Sequence, residues 1–274
     1  MTRGEHDLRV GDVAGAETLD IMSAAPRYNR WQYDVIAPWI GKRVLEVGSG
    51  VGNMSEHIVA QQRELVVLTD IDEWYLQRLR KRFYGYPLAR EGERPDAGRS
   101  TAPRVRRGDL PRKADQVVVD SLTLPYEEAP ARFKAHRLDT VIALNVVEHI
   151  EDDAGALRTM AGLLVPGGRA VILVPALQGI LGSLDEELGH FRRYSRASLA
   201  AVFSAAGLRL ERMFWYNRIG VFGWWLNGCV RRLKRIPIGQ LRAFDRMVPI
   251  LRYERFLPLP FGQSLVAIGT PNAN

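Results

Sequence analysis

The most constraining stretch of the sequence joins a buried strand to a glycine loop. Residues 43–47 form a short apolar run with β-branched side chains, which is typical of a strand inside a sheet. Gly48, Gly50 and Gly52 follow at alternate positions, and Asn53 is placed to cap the helix predicted next. Glycine tolerates positive φ angles and lets backbone N–H groups come close to a ligand. The stretch therefore predicts a strand–loop–helix unit, which is either a nucleotide-binding loop or a tight turn without a ligand.

Runs typical of strands alternate with helical patterns along most of the chain. The predicted strands are residues 43–47, 65–69, 116–119, 138–144, 170–174, 208–214 and 264–270. This alternation predicts an α/β fold with a doubly wound, mostly parallel seven-stranded sheet. The gap before the last strand is too long for a hairpin and has helical periodicity. We therefore expect a helical insertion there, with one helix over 219–233 and a second over 238–248 that stops before Pro249.

The same patterns divide the chain into four parts. Residues 1–40 are an N-terminal tail and helical cap, 41–216 the cofactor-binding core, 217–262 the helical insertion and 263–274 the last strand. Residues 1–20 carry few apolar positions and are expected to fray. Residues 85–115 hold seven arginines among glycines and prolines, which predicts a loop. That loop is either a solvated insertion or a guide for an anionic substrate.

Polar residues follow the second and third predicted strands. Asp70 ends the second, and Asp120, Ser121 and Leu122 end the third. Ligands of open α/β sheets lie along the carboxyl edge, where an acid after the second strand accepts hydrogen bonds from a ribose diol. We therefore predict that Asp70 binds a ribose, with helix capping as its alternative role, and that the turn at Asp120 contacts an adenine edge.

The composition limits the class of protein without identifying it. The net charge of +7, from 38 basic and 31 acidic residues, favours an anionic partner such as a membrane surface, a phosphorylated substrate or a nucleic acid. The single cysteine, Cys229, excludes an internal disulfide and a multi-cysteine zinc site, and no metal site is expected. Residues 1–20 lack the pattern of a signal peptide, and no apolar run reaches the roughly 18 residues that span a bilayer. We expect a cytoplasmic location.

Taken together, the motifs resemble the class I S-adenosylmethionine-dependent methyltransferases, which have a Rossmann-like fold. The resemblance spans residues 40–215 and is carried by Glu46–Gly52, Asp70, Asp120, Asn145–Ile150 and Leu164–Gly168. It implies S-adenosylmethionine as cofactor and S-adenosylhomocysteine as product. Segments 189–194 and 260–264 are similar to an uncharacterised bacterial branch that is often associated with glycosyltransferases. The implied reaction moves a methyl group to a small-molecule, glycan or lipid-linked acceptor, at oxygen.

The resemblance also implies roles for the residues of the cofactor site. The glycines would lie beside the methionine part, Glu46 would organise its ammonium group, Ile71 would pack on adenine and the backbone at Asn145 would hold the amino-acid moiety. The aromatic stripe before the first strand either packs in the core or folds over the ligand. The predicted cofactor-binding residues are Tyr28, Trp31, Glu46, Gly48, Ser49, Gly50, Gly52, Asn53, Asp70, Ile71, Asp120, Ser121, Leu122 and Asn145.

The acceptor side is predicted from polar residues outside these motifs. His149 follows the fourth strand and has an ordinary pKa of roughly 6.5, which suits a general base. A structural role at the start of a helix is equally open for His149, and His190 is the alternative catalytic histidine. The predicted substrate-side residues are His190, Arg193, Tyr194, Tyr216 and Asn217.

Three other functions are compatible with parts of the sequence. A nicotinamide dehydrogenase is disfavoured because the glycines read Gly-x-Gly-x-Gly rather than Gly-x-Gly-x-x-Gly. A nucleic-acid methyltransferase fits the basic charge but not the sequence after Asn145, so nucleic acid is an unlikely partner. A non-catalytic cofactor-binding partner subunit is the third. In the insertion, Trp224, Trp225 and the basic residues 231–235 either pack on the core or contact a membrane surface.

Overall fold

The structure is a computed structural model that describes residues 13–61, 63–84, 116–257 and 259–272. The arginine-rich segment 85–115 lies outside the described residues. Seven strands form one mixed sheet in the order β3-β2-β1-β4-β5-β7-β6. The first five strands are parallel, and β7 is antiparallel to both β5 and β6. The strands are β1 (Arg43–Val47), β2 (Leu65–Asp70), β3 (Val117–Ser121), β4 (Leu138–Leu144), β5 (Leu164–Pro175), β6 (Leu208–Tyr216) and β7 (Ser264–Pro271).

Ten α-helices flank the sheet within the described residues. They are α1 (Val13–Ser23), α2 (Pro26–Ile36), α3 (Ser55–Val59), α4 (Glu73–Tyr84), α5 (Ala129–Phe133), α6 (Asp153–Gly162), α7 (Ser183–Glu187), α8 (Arg196–Ala205), α9 (Gly220–Trp225) and α10 (Ile238–Leu251). A π-helical turn, Leu226–Val230, continues α9. None of the described helices is both long and apolar enough to cross a membrane.

The sheet has a hydrophobic core on each face, as expected for a doubly wound fold. On one face Phe133, Leu157 and Phe203 of α5, α6 and α8 are completely buried. On the other face α2, α3 and α4 pack together with α10 from the insertion. The predicted mostly parallel, seven-stranded fold is confirmed. The strand order reverses between β1 and β4, which is the position where open α/β sheets bind ligands.

Residues 13–20 differ from the prediction that residues 1–20 fray, whereas residues 1–12 lie outside the described residues. Helix α1 begins at Val13, and its Leu19 side chain packs against the glycine loop after β1. Helix α2 is also tied to the insertion, because the Tyr28 backbone N–H donates to Asp245 Oδ1 of α10 over 2.8 Å. The small number of apolar positions predicted fraying, but contacts with distant parts of the chain hold α1 and α2 in place.

Three predicted elements also differ from the structure. Strand β5 begins at Leu164 rather than Ala170, because the Pro166–Gly168 segment stays within the strand through a register shift against β4. Helix α10 continues through Pro249 to Leu251, since Val248 and Leu251 are buried in the core. The single helix predicted over 219–233 is instead the short α9 and its π-helical turn.

Candidate active site

The glycine loop after β1 has the backbone conformation that its sequence predicts. Gly48, Gly50 and Gly52 all have positive φ angles, of 66°, 51° and 85°. A Cβ on Gly48 would lie 2.6 Å from Val146, so glycine is needed for the loop to approach the segment after β4. The Gly50 N–H donates to Asp70 Oδ2 over 2.9 Å. The loop therefore joins the carboxyl ends of β1, β2 and β4.

Helix α1 covers the outer side of this loop. A Cβ on Gly50 would lie 2.7 Å from Leu19 Cδ1, which shows how closely the helix approaches. Asn53 donates from Nδ2 to the Leu19 carbonyl over 3.0 Å and accepts from the Ser23 hydroxyl over 2.9 Å. Asn53 was predicted to cap α3, and this was wrong because its side chain is used by α1. The residue before α3, Met54, makes no side-chain cap.

A cavity of about 2110 Å³ lies at this edge of the sheet. It is larger than the roughly 300–1,000 Å³ of most small-molecule sites, so it has room for a cofactor and a second molecule. Its wall extends from α1 and the glycine loop to the insertion. Fourteen predicted site residues line it: Tyr28, Glu46, Gly48, Ser49, Gly50, Asn53, Asp70, Ile71, Leu122, Asn145, His149, His190, Arg193 and Asn217.

Two buried carboxyl groups lie at the sheet end of the cavity. Glu46 is only 3% exposed, and burial raises its pKa to about 7, with a further rise from Asp70 and opposing hydrogen bonds from the Ser55 and Ser49 hydroxyls. Burial also raises the pKa of Asp70, which the backbone N–H groups of Gly50 and Asp72 oppose. Ile71 follows Asp70, lines the cavity and has 65% of its surface exposed, so its apolar side chain is accessible from the cavity.

Six predicted site residues do not line the cavity. Gly52 supports the loop through its hydrogen bond to the Ser49 carbonyl, and Ser121 lies with Asp120 at the end of β3. The Asp120 carboxylate pairs with Arg132 of α5 and does not line the cavity. The remaining three are Trp31, Tyr194 and Tyr216.

These three aromatic residues are buried in the protein core instead. Trp31 and Tyr216 pack on each other with ring centroids 4.8 Å apart. The Tyr194 hydroxyl donates to Asp153 Oδ2 over 2.9 Å. Tyr28 packs on both Trp31 and Tyr216 but still reaches the cavity. The aromatic stripe therefore packs mainly in the core and contributes one ring to the site.

A cluster of two imidazoles and a carboxyl group lies at the far side of the cavity. His149 and His190 have ring centroids 4.7 Å apart at an interplanar angle of 78°. Glu148 Oε1 lies 3.9 Å from His190 Nε2, and the Glu148 side chain is completely buried. Burial raises the pKa of Glu148 to about 8. The Phe191 N–H donates to the Glu148 carbonyl over 2.9 Å, which joins the two segments.

Asp185 of α7 contacts His190 on the side away from Glu148. Its Oδ1 lies 2.8 Å from His190 Nδ1 and 3.3 Å from Arg193 Nη1, and its Oδ2 accepts from Trp224 Nε1 over 3.0 Å. Burial raises the pKa of Asp185, but the hydrogen bond from His190, the Arg193 charge and the Trp224 hydrogen bond outweigh burial and leave the pKa below its ordinary value. Because an ionised carboxylate can only accept a hydrogen bond, this contact favours the His190 tautomer with its proton on Nδ1, and Nε2 lies on the side of Glu148.

No role was predicted for Glu148 or Asp185 from the sequence. Both belong to polar segments that the sequence made visible, Glu148 directly before His149 and Asp185 in the segment 185–194. The segments that hold Glu148 and Asp185 are far apart in the sequence, so the spacing of their residues did not show that they meet in the structure. Arg193 and Asn217, predicted to contact substrate, also have structural partners: Arg193 pairs with Asp185, and Asn217 donates to Gln263 Oε1 over 2.7 Å.

Comparisons with known proteins agree with this architecture. A family model described as a methyltransferase domain matches residues 25–212. No curated protein sequence is significantly similar to the chain. Among solved structures, a methyltransferase from Haloferax volcanii in complex with the Trm112 methyltransferase activator has 15% identity and a TM-score of 0.57, and the match covers 97% of this chain and 100% of that chain.

Two further solved structures have the same fold. The CurJ carbon methyltransferase has 15% identity and a TM-score of 0.51, and the match covers 88% of this chain but 51% of that chain, so this chain spans about half its length. An S-adenosylmethionine-dependent methyltransferase from Methanosarcina mazei has 9% identity, a TM-score of 0.52 and coverage of 88% and 99%. At these identities the structures support the fold alone.

The matched domain, the Rossmann-like sheet and the glycine loop beside a buried acid lead to one conclusion. The chain belongs to the methyltransferase-domain family and is a class I methyltransferase whose cofactor is S-adenosylmethionine.

Proposed function

We propose that this enzyme transfers the methyl group to an oxygen atom of a small-molecule, glycan or lipid-linked acceptor, and that it works at a membrane surface. The proposal rests on the half of the cavity that lies away from the glycine loop. Apolar residues line this half, and His149 and His190, which cluster with Glu148, lie at its end.

The cofactor would occupy the half of the cavity nearest the sheet. Its ammonium group suits the buried Glu46, and its ribose suits Asp70, which already accepts the Gly50 N–H. Ile71 and Leu122 line the same half and offer apolar surfaces to adenine. This orientation places the sulfonium at the glycine loop, where Gly48 contacts the segment that leads to His149.

The acceptor would occupy the half under the insertion. Leu184, Leu188, Ile219, Trp224 and Phe244 line this part of the cavity. Such a wall favours an acceptor with an apolar part, because burying apolar surface stabilises binding. The imidazoles and the carboxyl group at the end of this wall favour a hydroxyl oxygen as the reacting atom, because an acceptor hydroxyl must lose its proton during transfer.

The reaction follows from the cofactor and this arrangement. The acceptor oxygen attacks the methyl carbon in line with the sulfonium, an O–C bond forms and the S–C bond breaks. The electron pair stays on sulfur, giving S-adenosylhomocysteine and a methyl ether, and the hydroxyl proton is released to water beside the cluster of Glu148, His149 and His190. The protein contributes mainly positioning and exclusion of water.

The exposed surface of the insertion supports contact with a lipid surface. On α10, Met247 and Ile250 are 51% and 75% exposed, and Tyr253 in the following turn is 60% exposed. Arg242 and Arg246 are exposed on the same helix. An apolar stripe flanked by arginines suits the headgroup region of an anionic membrane.

The acceptor class is tested by labelled methyl transfer. The full chain is incubated with methyl-labelled S-adenosylmethionine and bacterial extracts separated into lipid, glycan, small-molecule and nucleic-acid fractions. We expect the label as a base-stable ether in the lipid, glycan or small-molecule fraction. Label confined to nucleic acid, or to nitrogen of a small molecule, would contradict the proposed acceptor.

Binding of the product S-adenosylhomocysteine is expected to depend on pH through Glu46. Below its pKa of about 7 the Glu46 carboxyl is neutral and loses its attraction for the ammonium group. Affinity should therefore fall roughly tenfold from pH 8 to pH 6, since each pH unit below the pKa costs up to a factor of ten.

Calorimetry across this pH range measures the effect. The Glu46→Gln variant should bind weakly with a flat profile. The control is Glu56→Gln, which replaces an exposed carboxylate on α3 that pairs with Arg82 and should keep the wild-type profile. An unchanged pH profile in Glu46→Gln would exclude this role for Glu46.

Membrane contact is tested by sedimentation with vesicles of phosphatidylglycerol and phosphatidylcholine. The Ile250→Glu variant should lose most of the bound fraction, because it places a negative charge in the apolar stripe. Ala201→Glu adds the same charge to an exposed site on α8, on the opposite face of the sheet, and should bind like wild type. Equal binding of all three proteins, or no binding by wild type, would rule out this surface.

A further inference from the structure

We propose that Glu148, His149 and His190 bind one divalent transition-metal ion, and that this ion binds the acceptor hydroxyl in the cavity. The site itself stands on the side-chain geometry, whereas the binding of a hydroxyl rests on the proposed transfer to oxygen. No metal site was predicted from the sequence, because the single cysteine excludes a multi-cysteine zinc site and residues 148 and 190 are far apart in the chain.

The first support is the convergence of three ligand types. Each residue offers one ligand atom, and the three atoms lie within 4.8 Å of one another. Glu148 Oε1 and His190 Nε2 are 3.9 Å apart. Two ligand atoms at about 2.1 Å from a tetrahedral zinc ion are about 3.4 Å apart, so small side-chain movements would complete the site.

The second support is an unsatisfied carboxyl group. Both oxygens of Glu148 are buried, and neither has a hydrogen-bond partner in any other residue that the structure describes. A buried polar group without a partner is costly, and such groups are rare unless an ion or ligand satisfies them. His190 and His149 lie on the side of Glu148 that faces the cavity, so an ion there would satisfy the carboxylate.

The third support is the hydrogen bond between His190 Nδ1 and Asp185. Metal-binding histidines usually donate their other ring N–H to a carboxylate, which fixes the tautomer and the ring orientation. Asp185 accepts this hydrogen bond over 2.8 Å and is itself completely buried. Arg193 and Trp224 hold Asp185 in place, so His190 Nε2 is directed to the proposed ion.

The ligand set identifies the class of metal. Two imidazoles and one carboxylate suit zinc and other first-row transition metals, whereas magnesium and calcium prefer oxygen ligands alone. Three protein ligands leave a coordination position open, as in catalytic zinc sites. His149 and His190 line the cavity, so the open position is accessible to the acceptor.

The ion explains how the acceptor loses its proton. A hydroxyl that binds a divalent cation has a lower pKa and releases its proton to water. The oxygen then attacks the methyl carbon while the S–C bond breaks and its electron pair stays on sulfur. In this account His149 and His190 hold the ion and neither acts as the general base.

Zinc binding is the test, measured by calorimetry on the chelator-treated full chain. We expect one Zn²⁺ per chain for wild type, and at least tenfold weaker binding for His149→Ala, His190→Ala and Glu148→Gln. His149 is exposed, so its variant should keep the fold and the affinity for S-adenosylhomocysteine. The control is His57→Gln, which changes a half-buried imidazole on α3 stacked on Tyr33 and should bind zinc like wild type.

Two results would overturn the site: no stoichiometric zinc in wild type, or equal zinc binding by His149→Ala and His57→Gln. The role in transfer is tested separately with the labelled fraction. Chelation should abolish labelling, and added zinc or manganese should restore it. Full labelling by zinc-free protein would overturn that role and favour His149 as a base. Zinc binding without labelling of any fraction would confirm the site and contradict the proposed function instead.

Discussion

The close approach of the glycine loop to its neighbours is the constraint on which the site depends. Gly48 meets Val146 and Gly50 meets Leu19, at distances that leave no room for a Cβ. The loop is therefore held between α1 on one side and the segment after β4 on the other. Because the latter segment continues into Glu148 and His149, the loop conformation also sets the distance between the two halves of the cavity.

The second half of the cavity depends on a buried charge pair. The side chains of Asp185 and Arg193 are completely buried and pair with each other. Breaking one partner of such a pair leaves an uncompensated charge, so the pair holds α7 and residues 190–194 in one arrangement. Trp224 donates to the same carboxylate, which connects the insertion to this arrangement. The acceptor end of the cavity is thus shaped by residues that never need to contact the acceptor.

The sequence predicted the fold well, and residues predicted for the cofactor site line one cavity at the sheet end, for a physical reason. Strand patterns, glycine spacing and the acid at Asp70 are local signals, and the parallel sheet brings their carboxyl ends together. Asn53 and Asp120 have side-chain partners that the sequence did not predict, because each forms a hydrogen bond or ion pair with a helix whose position the sequence does not determine. The partnership of Glu148, His190 and Asp185 was invisible for the same reason, since it depends on how residues 183–194 pack against the segment after β4.

A crystal structure of the full chain with S-adenosylhomocysteine tests the central claim most directly. We expect the ammonium group at Glu46, the ribose at Asp70 and the sulfur directed across the cavity toward His149 and His190. A product molecule bound in another cavity would contradict it. So would one whose sulfur is directed away from the histidine cluster.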